Sequence, residues 1–471
     1  VSYISYKTQE VVVDVARDYS KDGKTGKAGT FAIALEEDNQ QLGEVVVTGR
    51  RERRSDRSAV ETVKNALGVL NVMSQQSIQL SPDVNVANVL QRVSGVTLER
   101  DASGEASYAI LRGMDKRYNY TLVNGVKIPS PDDKNRYVPL NIFPSDLMDR
   151  LVVAKSLTAD MEGDAAGGVV DMVMKDAPSS FQLQANAAVG ATDYFWKDGR
   201  DYLTTNRSDY THKSPYEAFG PNYKAGMDDF KQGPVQLKSH SMPAPNFVGG
   251  LSVGNRFWNN RLGVIVAGSV QNTFRGTERT YNSVKMASGE QAMYISNLHH
   301  RYYSMHDLTT GLHAKVDLSL GSHKLEWYNM YVRTHSKGVR YNNGIGTEYI
   351  GADSYTQDDE MRSLSQTQSI FATNLKGTHH LTDRLTLDWS GIFSQAKEDD
   401  PDRTYITLTN TVSCTANTEG DAVAGSIWNG NNTITKTLPK SAERRFQHNK
   451  DTDWAVSYTH LRAHETEADL V

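Results

Sequence analysis

From residue 181 onward the chain alternates apolar and polar residues with a period of two, and no other feature restricts its fold as much. Leu312, Ala314, Val316, Leu318 and Leu320 fall on one side of an extended segment, with His313, Lys315, Asp317 and Ser319 on the other. Leu385, Leu387, Trp389, Gly391 and Phe393 oppose Arg384, Thr386, Asp388 and Ser390, while Leu262, Val264, Val266, Gly268 and Val270 alternate with smaller partners. Successive side chains of a strand point to opposite faces, so each segment reads as a two-faced strand. No apolar run is long enough for a helix to cross a bilayer, which takes about 18 residues. A membrane β-barrel hides its hydrophobicity in this alternation, and the mean hydropathy of −0.55 fits one.

The connections point the same way. Short turns fall near Asn255–Arg261, Gly321–His323 and Leu381–Asp383. Between them lie long polar segments near 191–245, 272–308, 335–367 and 397–446, which read as loops. Tight turns at one end and long loops at the other is the layout of an outer-membrane barrel, of which about eight strands are counted here. A soluble sandwich would also alternate, but repeated long loops at one end are uncommon in compact domains.

Charge and cysteine content remove other classes. Lys+Arg 51 against Asp+Glu 56 gives a net charge of −5, which disfavours a nucleic-acid binder relying on a basic surface. The single cysteine, Cys414, excludes an internal disulfide framework, a Cys-rich zinc module and an iron–sulfur cluster. The chain opens on Val1-Ser2-Tyr3 with neither basic nor apolar leader regions. Residues 456–466 resemble an in-frame translation of a sequencing adaptor, so 456–471 are set apart, the natural sequence is read as ending near Ala455, and the chain reads as a fragment.

Residues 1–42 alternate around Val11, Val13 and Val15 and again around Phe31, Ile33 and Leu35, like the last strands of a small β-sandwich. In residues 43–57, Glu44, Val45, Val46, Val47, Thr48 and Gly49 favour an extended segment able to add a strand to another protein's sheet edge. An ordinary buried strand fits the same six residues. Arg50–Arg57 follows as a basic linker without interleaved aromatics. Residues 58–178 are mixed α/β. Val86, Val89, Leu90 and Val93 have helical spacing closed by Gly95, and Tyr108–Leu111, Tyr120–Val123 and Leu151–Val153 read as short strands, with a turn at Asn124-Gly125. Gly163, Gly167 and Gly168 mark a bend or close backbone packing.

Within this stretch, Asn88–Val96, Leu111-Arg112-Gly113 through Asn119, Leu122-Val123-Asn124-Gly125-Val126, Val153-Ala154-Lys155-Ser156 and Asp160–Val170 occur in order. Together they resemble the plug-domain motifs of TonB-dependent outer-membrane receptors, with Ser156 standing where glycine is common. Ser5–Glu10 resembles the end of the carboxypeptidase-regulatory-like domains that precede Bacteroidetes receptors of this kind. The resemblance implies an α/β plug domain (58–178) followed by an antiparallel transmembrane β-barrel of about 22 strands, of which 179–455 would supply about eight. It implies energised uptake across the outer membrane of a Gram-negative cell and no enzyme activity, cofactor or resident metal. Glu44–Gly49 would be the TonB box, paired with TonB of the inner-membrane energising complex. Outer-membrane lipid would surround the wall, and a surface lipoprotein is a further partner of such receptors. The substrate classes it leaves open are ferric siderophore, haem, cobalamin, oligosaccharide and peptide. Arg112 would be a buried structural arginine beside Gly113, and Asn124, Gly125, Gly167 and Gly168 structural plug positions. Asp132, Asp133, Lys134, Asn135 and Arg136 form a polar loop that reads as a substrate-facing apex or a solvated turn. The rival reading is a soluble or surface-anchored β-rich binding protein without transport.

Other motifs carry less. Gly250-Leu251-Ser252-Val253-Gly254 has the spelling of a hydrolase elbow, but its neighbours continue an alternating strand. His299, His300, His306 and Asp307 read as a loop cluster open to iron or as solvated groups. Asp358-Asp359-Glu360 and Glu398–Asp402 lack the glycine and spacing of a calcium loop. Tyr194, Phe195, Trp196, Tyr202, Tyr210 and Tyr216 could stack on a ring-shaped ligand or belong to an interfacial girdle.

Overall fold

The computed structural model describes residues 55–462 apart from 67, 102, 133–136, 159–160, 162, 164, 207–209, 232–233, 235, 287–292, 347–353, 383–384 and 414–432. The sandwich-like segment 1–42 and the six residues Glu44–Gly49 lie outside the described residues.

Capping chemistry starts the first elements. Side chains of Ser55, Ser74 and Asn85 accept from the third residue beyond, opening α1 (Asp56–Lys64), α2 (Gln75–Leu80) and α3 (Val86–Leu90). Helix α3 is shorter than the 82–93 spacing suggests, because Asn85 at its cap is extended. Val86, Val89 and Leu90 are fully buried, and Gly95 turns the chain away at φ 70°. The strands of this domain are β1 (Leu70–Ser74), β2 (Val96–Arg100), β3 (Ala106–Leu111), β4 (Asn119–Val123), β5 (Val126–Lys127), β6 (Met148–Ala154) and β7 (Gly168–Met174). Five form a mixed sheet in the order β1-β6-β7-β4-β5, with only β4 and β7 parallel, and β2-β3 is a separate hairpin. Leu90, Leu111, Leu151 and Met172 pack its core.

The remainder is dominated by one antiparallel meander. Strands β8 (Gln182–Gly190), β11 (Asn246–Phe257), β12 (Leu262–Met286), β13 (Met293–Leu320), β14 (His323–Gly346), β15 (Ser354–Thr382), β16 (Leu385–Ser413) and β17 (Thr433–Arg462) pair in sequence, and the sheet is open at β8 and β17. Between β8 and β11 runs a long excursion containing α4 (Asp193–Trp196), the two-stranded ribbon β9 (Tyr202–Thr204) and β10 (Lys238–His240), α5 (Pro215–Phe219) and α6 (Met227–Lys231).

The short turns near Asn255–Arg261 and Gly321–His323 fall where the spacing places them, and β15 ends at Thr382 beside the third, but the other ends of the hairpins correct the sequence reading. Much of 272–308, 335–367 and 397–446 is strand: β12 to β17 run 24 to 30 residues each. At about 3.3 Å per residue they reach on the order of 80–100 Å, whereas a tilted strand crosses a bilayer in about 9–11 residues. Beyond that length neither face needs to be apolar, so alternation stops while backbone pairing continues. The last strand also pairs without a break through the boundary at Ala455, as far as Arg462 against Leu385.

Side-chain placement in this sheet is inverted relative to a soluble one. Val266, Leu312, Leu320, Trp327, Phe371 and Leu375 are exposed, whereas Ser252, Gln271, His313, Asp317, Thr334 and Ser394 are buried. The buried polar face packs on the α/β domain.

Two close glycines of that domain make a prediction. Gly168 sits at φ 141°, and a Cβ there would meet the Ala154 carbonyl oxygen at 2.6 Å, whereas Gly113 at φ 77° has open space. Gly168→Ala should cost about 2–3 kcal/mol and Gly113→Ala about 1 kcal/mol or less, read as unfolding midpoints in detergent.

Candidate functional site

The seam between the α/β domain and the inner face of the sheet is built from polar contacts strung along the strands. Asn186 on β8 donates to Asp146 at 2.9 Å, and Gln271 on β12 donates to the Val84 carbonyl at 2.6 Å. On β13, His313 Nε2 donates to the Lys175 carbonyl at 2.8 Å, and Lys315 bridges Asp176 at 2.5 Å and Glu326 of β14 at 2.9 Å. Arg256 and Asp317 form a buried two-pronged pair at 2.7 and 2.9 Å beneath them. Glycines make room for this approach: at Gly311 a Cβ would stand 2.7 Å from Leu147, and at Gly263 it would stand 2.9 Å from Ala177.

Further along the seam lies a triad that joins the two layers. Glu105, at the start of the hairpin's second arm, accepts from Asn85 at 2.9 Å and pairs with Arg275 of β12 at 2.7 Å. Arg275 in turn pairs with Asp307 of β13. Burial raises the Glu105 carboxyl above its ordinary value of 4.5; Arg275 opposes the shift and the Asp307 charge adds to it. One arginine thus holds two carboxylates, one from each layer. Neither the triad nor the seam was visible in the sequence, because its members are joined only by strand register.

The sequence-predicted positions divide. Asn124 and Gly125 have φ of 52° and 77°, the pair of left-handed residues a tight two-residue hairpin turn requires. The Asn124 side chain accepts from Met174 N at 2.9 Å, and Gly125 N donates to Asp171 at 2.9 Å. Gly167 is close-packed: a Cβ there would displace the Asn119 side chain and press on the Tyr118 carbonyl at 3.1 Å. Arg112 corrects the sequence reading. It is exposed, not buried, at φ 52°, and its guanidinium donates to the carbonyl of Gly167 at 3.3 Å, with no carboxylate partner among the described residues. The turn that carries Arg112-Gly113 leaves the core before the side chain begins. Asp132 accepts from Tyr108 at 2.8 Å, and the carbonyls of Pro131 and Asp132 accept from Asn449 of β17, so this part of the loop leans on the wall. Asp133, Lys134, Asn135 and Arg136 lie outside the described residues.

The secondary motifs resolve as structure. The aromatic excursion packs on the outer face of the sheet just above the apolar band: Phe195 and Tyr202 are buried in an edge-to-face series from Tyr194 to Phe274, and Phe274 stacks on His306 at 4.2 Å. His306 and Asp307 stand on a strand, not a loop, and point to opposite faces. Among the described residues no three His, Cys, Asp or Glu converge as for a metal. Asp359 accepts from Tyr341 and Asn343, Glu360 pairs with Arg340, and Asp402 pairs with Arg444. Ser252 sits in the middle of β11, without an elbow.

Comparison with known proteins gives the α/β domain its family. Residues 62–169 match the TonB-dependent Receptor Plug Domain. A curated relative, the vitamin B12 transporter BtuB of Photobacterium profundum, is 25% identical over 140 residues, covering 30% of this chain and 23% of its own length. Among solved structures, a mutant ferric enterobactin receptor from Pseudomonas aeruginosa aligns at 10% identity and a TM-score of 0.35, over 73% of this chain and 55% of that one. The unliganded ferric citrate transporter FecA aligns at 13% and 0.33, over 87% and 62%. The chain therefore spans less than two thirds of the length of each of these relatives.

The triad between plug and wall is testable. Because the folded-state value of Glu105 lies above the unfolded one, its contribution is fully present below about pH 4.5 and lost as pH rises through the raised value. Between about pH 4 and pH 7.5 the unfolding midpoint should fall less in Glu105→Gln than in the unaltered protein. Arg275→Ala leaves two buried carboxylates without their cation and should cost about 3–5 kcal/mol at neutral pH; a loss under about 1 kcal/mol would remove the triad as a determinant of plug seating.

Proposed function

We propose that this chain is the plug and the adjoining part of the wall of a TonB-dependent outer-membrane receptor, a carrier for energised uptake of a scarce nutrient in a Gram-negative cell. The observation that carries the reading is the inverted sheet. An apolar outer band suits lipid, and a polar inner face is occupied by a domain whose sequence matches a plug. A soluble binding protein would turn the same faces the other way, because the present orientation would leave Leu312, Trp327 and Leu375 in water.

In this mechanism substrate binds between the long extracellular strands and the upper side of the plug. Occupancy releases Glu44–Gly49 toward the periplasm, where TonB adds it as a strand and transmits force from the proton gradient. The seam described above suits such a plug. Part of it consists of hydrogen bonds and ion pairs that water can replace, and part is the apolar contact of the plug core with Met330, Val332 and Ile370 of the wall.

The test uses the gene deleted in its native host and complemented with the unaltered or the Val46→Pro form. Proline removes a backbone donor that strand addition needs. The expected result is a growth defect on one nutrient, among single iron sources and single glycans, that the unaltered gene rescues and Val46→Pro does not. Full rescue by Val46→Pro would overturn energised uptake through this segment.

A further inference from the structure

Above the plug, the inner wall is lined with arginine. Arg279 and Arg301 on β12 and β13, Arg340 and Arg362 on β14 and β15, and Arg403 on β16 follow one another across the sheet, tied by the pairings Arg279↔Arg301 and Arg340↔Arg362. In a chain of net charge −5 this is a local excess of positive charge on a concave surface, where field lines concentrate.

Arg279, Arg301 and Arg362 have no carboxylate partner among the described residues. Each instead lies over a tyrosine ring: Arg279 over Tyr303 at 5.9 Å, Arg301 over Tyr281 at 5.3 Å, and Arg362 over Tyr405 at 4.6 Å. Stacking on a ring holds a guanidinium flat without using the N–H donors of its fork. Arg340 pairs with Glu360 at 2.7 Å and Arg403 with Asp400, yet the Nε of Arg340, Arg403 and Arg301 are buried with no acceptor. Buried charged donors without acceptors are costly and call for a partner.

Three of these arginines, Arg340, Arg362 and Arg403, line one cavity of about 310 Å³ together with Tyr303 and Tyr405, floored by Asp101 and Ser103 at the tip of the plug hairpin. Asp101 is held in its own turn, where its Oδ1 accepts from Ser103 N, Ser103 Oγ and Glu105 N. That same turn leads directly into Glu105 of the plug–wall triad.

We propose that this cavity is the recognition site for a ligand bearing several oxyanions, carboxylate or phosphate, on a planar or ring-shaped frame. The arginine forks receive the oxyanions and Tyr303 and Tyr405 receive the frame. This rests on the receptor reading and names its substrate class; it excludes a neutral, uncharged oligosaccharide as the ligand of this cavity. Because the floor of the site is the turn that presents Glu105, filling it bears on the triad that seats the plug.

The test measures binding to the detergent-purified protein by titration calorimetry, with benzene-1,3,5-tricarboxylate and inorganic pyrophosphate as probes and the neutral trimethyl ester of the former as control. Binding of at least one anion, no binding of the ester, and a loss of about tenfold or more in Arg362→Gln and Arg340→Gln are expected. Arg362→Lys, which keeps the charge but not the fork, should fall between. Arg117→Gln, on an exposed plug turn, should bind like the unaltered protein and reports on general charge effects. Intact folding of each variant is read from its unfolding midpoint. Absence of anion binding by the unaltered protein, or equal binding by Arg362→Gln and Arg362→Lys folded variants, would overturn the site. Binding needs no TonB, so Val46→Pro must bind the anion normally. Arginine-dependent binding alongside full nutrient rescue by Val46→Pro would keep this site and remove only the energised-transport reading.

Discussion

A sheet that turns its apolar face outward must find something polar for its other face, and nearly everything else in this structure depends on that. Water could fill the space, as in an open pore. Here a folded domain fills it, and the domain's surface is matched to the wall group by group: Gln271 to a carbonyl, His313 to a carbonyl, Lys315 to Asp176, Arg275 to Glu105. The plug's apolar core around Leu90, Leu111, Leu151 and Met172 continues into the wall at Met330, Val332 and Ile370, so apolar contacts as well as hydrogen bonds and ion pairs hold the domain in place.

The height of the wall follows from a second constraint. Once the lipid-facing stretch is exhausted, a strand can continue only if its backbone groups are paired, and the neighbouring strands supply that pairing through Thr273↔Asp307, Ser304↔Val339 and Arg340↔Arg362. Side chains there are free to be polar on both faces. The excursion between β8 and β11 takes advantage of this on the outside: Leu203 N donates to Ser304, Tyr210 reaches the Leu364 carbonyl, and Arg444 joins the carbonyl of Asp229 to Asp402. It braces the outer face of these long strands, and its aromatic residues serve this packing.

What could be read from the sequence was whatever local chemistry determines. Asn124-Gly125 demands a tight turn, Asn85 demands a helix start, and Leu312 to Leu320 demands a two-faced strand; all three needed only neighbours along the chain. The upper strands were read as loops because the signal used was hydrophobic alternation, and a strand wet on both faces has none. Arg112 was placed in the core on the strength of its motif, but a residue at φ 52° directs its side chain by the turn, not by the company it keeps in sequence. Glu105 and Arg275, or Arg340 and Arg362, come together only through register, which one strand's sequence does not contain. Where the described residues end, as at Glu44–Gly49, the sequence remains the whole of the argument.

The distribution of charge ties the seam to the wall above it. Near the plug each inward cation is matched by a carboxylate, Lys315 by Asp176 and Glu326, Arg256 by Asp317, Arg275 by Glu105 and Asp307. Higher up the matching lapses, and Arg279, Arg301 and Arg362 rest on tyrosines. Cation–π stacking is worth about 0.5–2 kcal/mol and leaves the donors of the fork unfilled, so it positions an arginine without neutralising it. The wall thus compensates its charges where the plug is seated and leaves them uncompensated a few residues further out. Asp101 and Glu105 belong to one tight turn, the first facing the uncompensated region and the second pinned in the compensated one. That turn, like β12 between Arg275 and Arg279, joins the two regions within four residues.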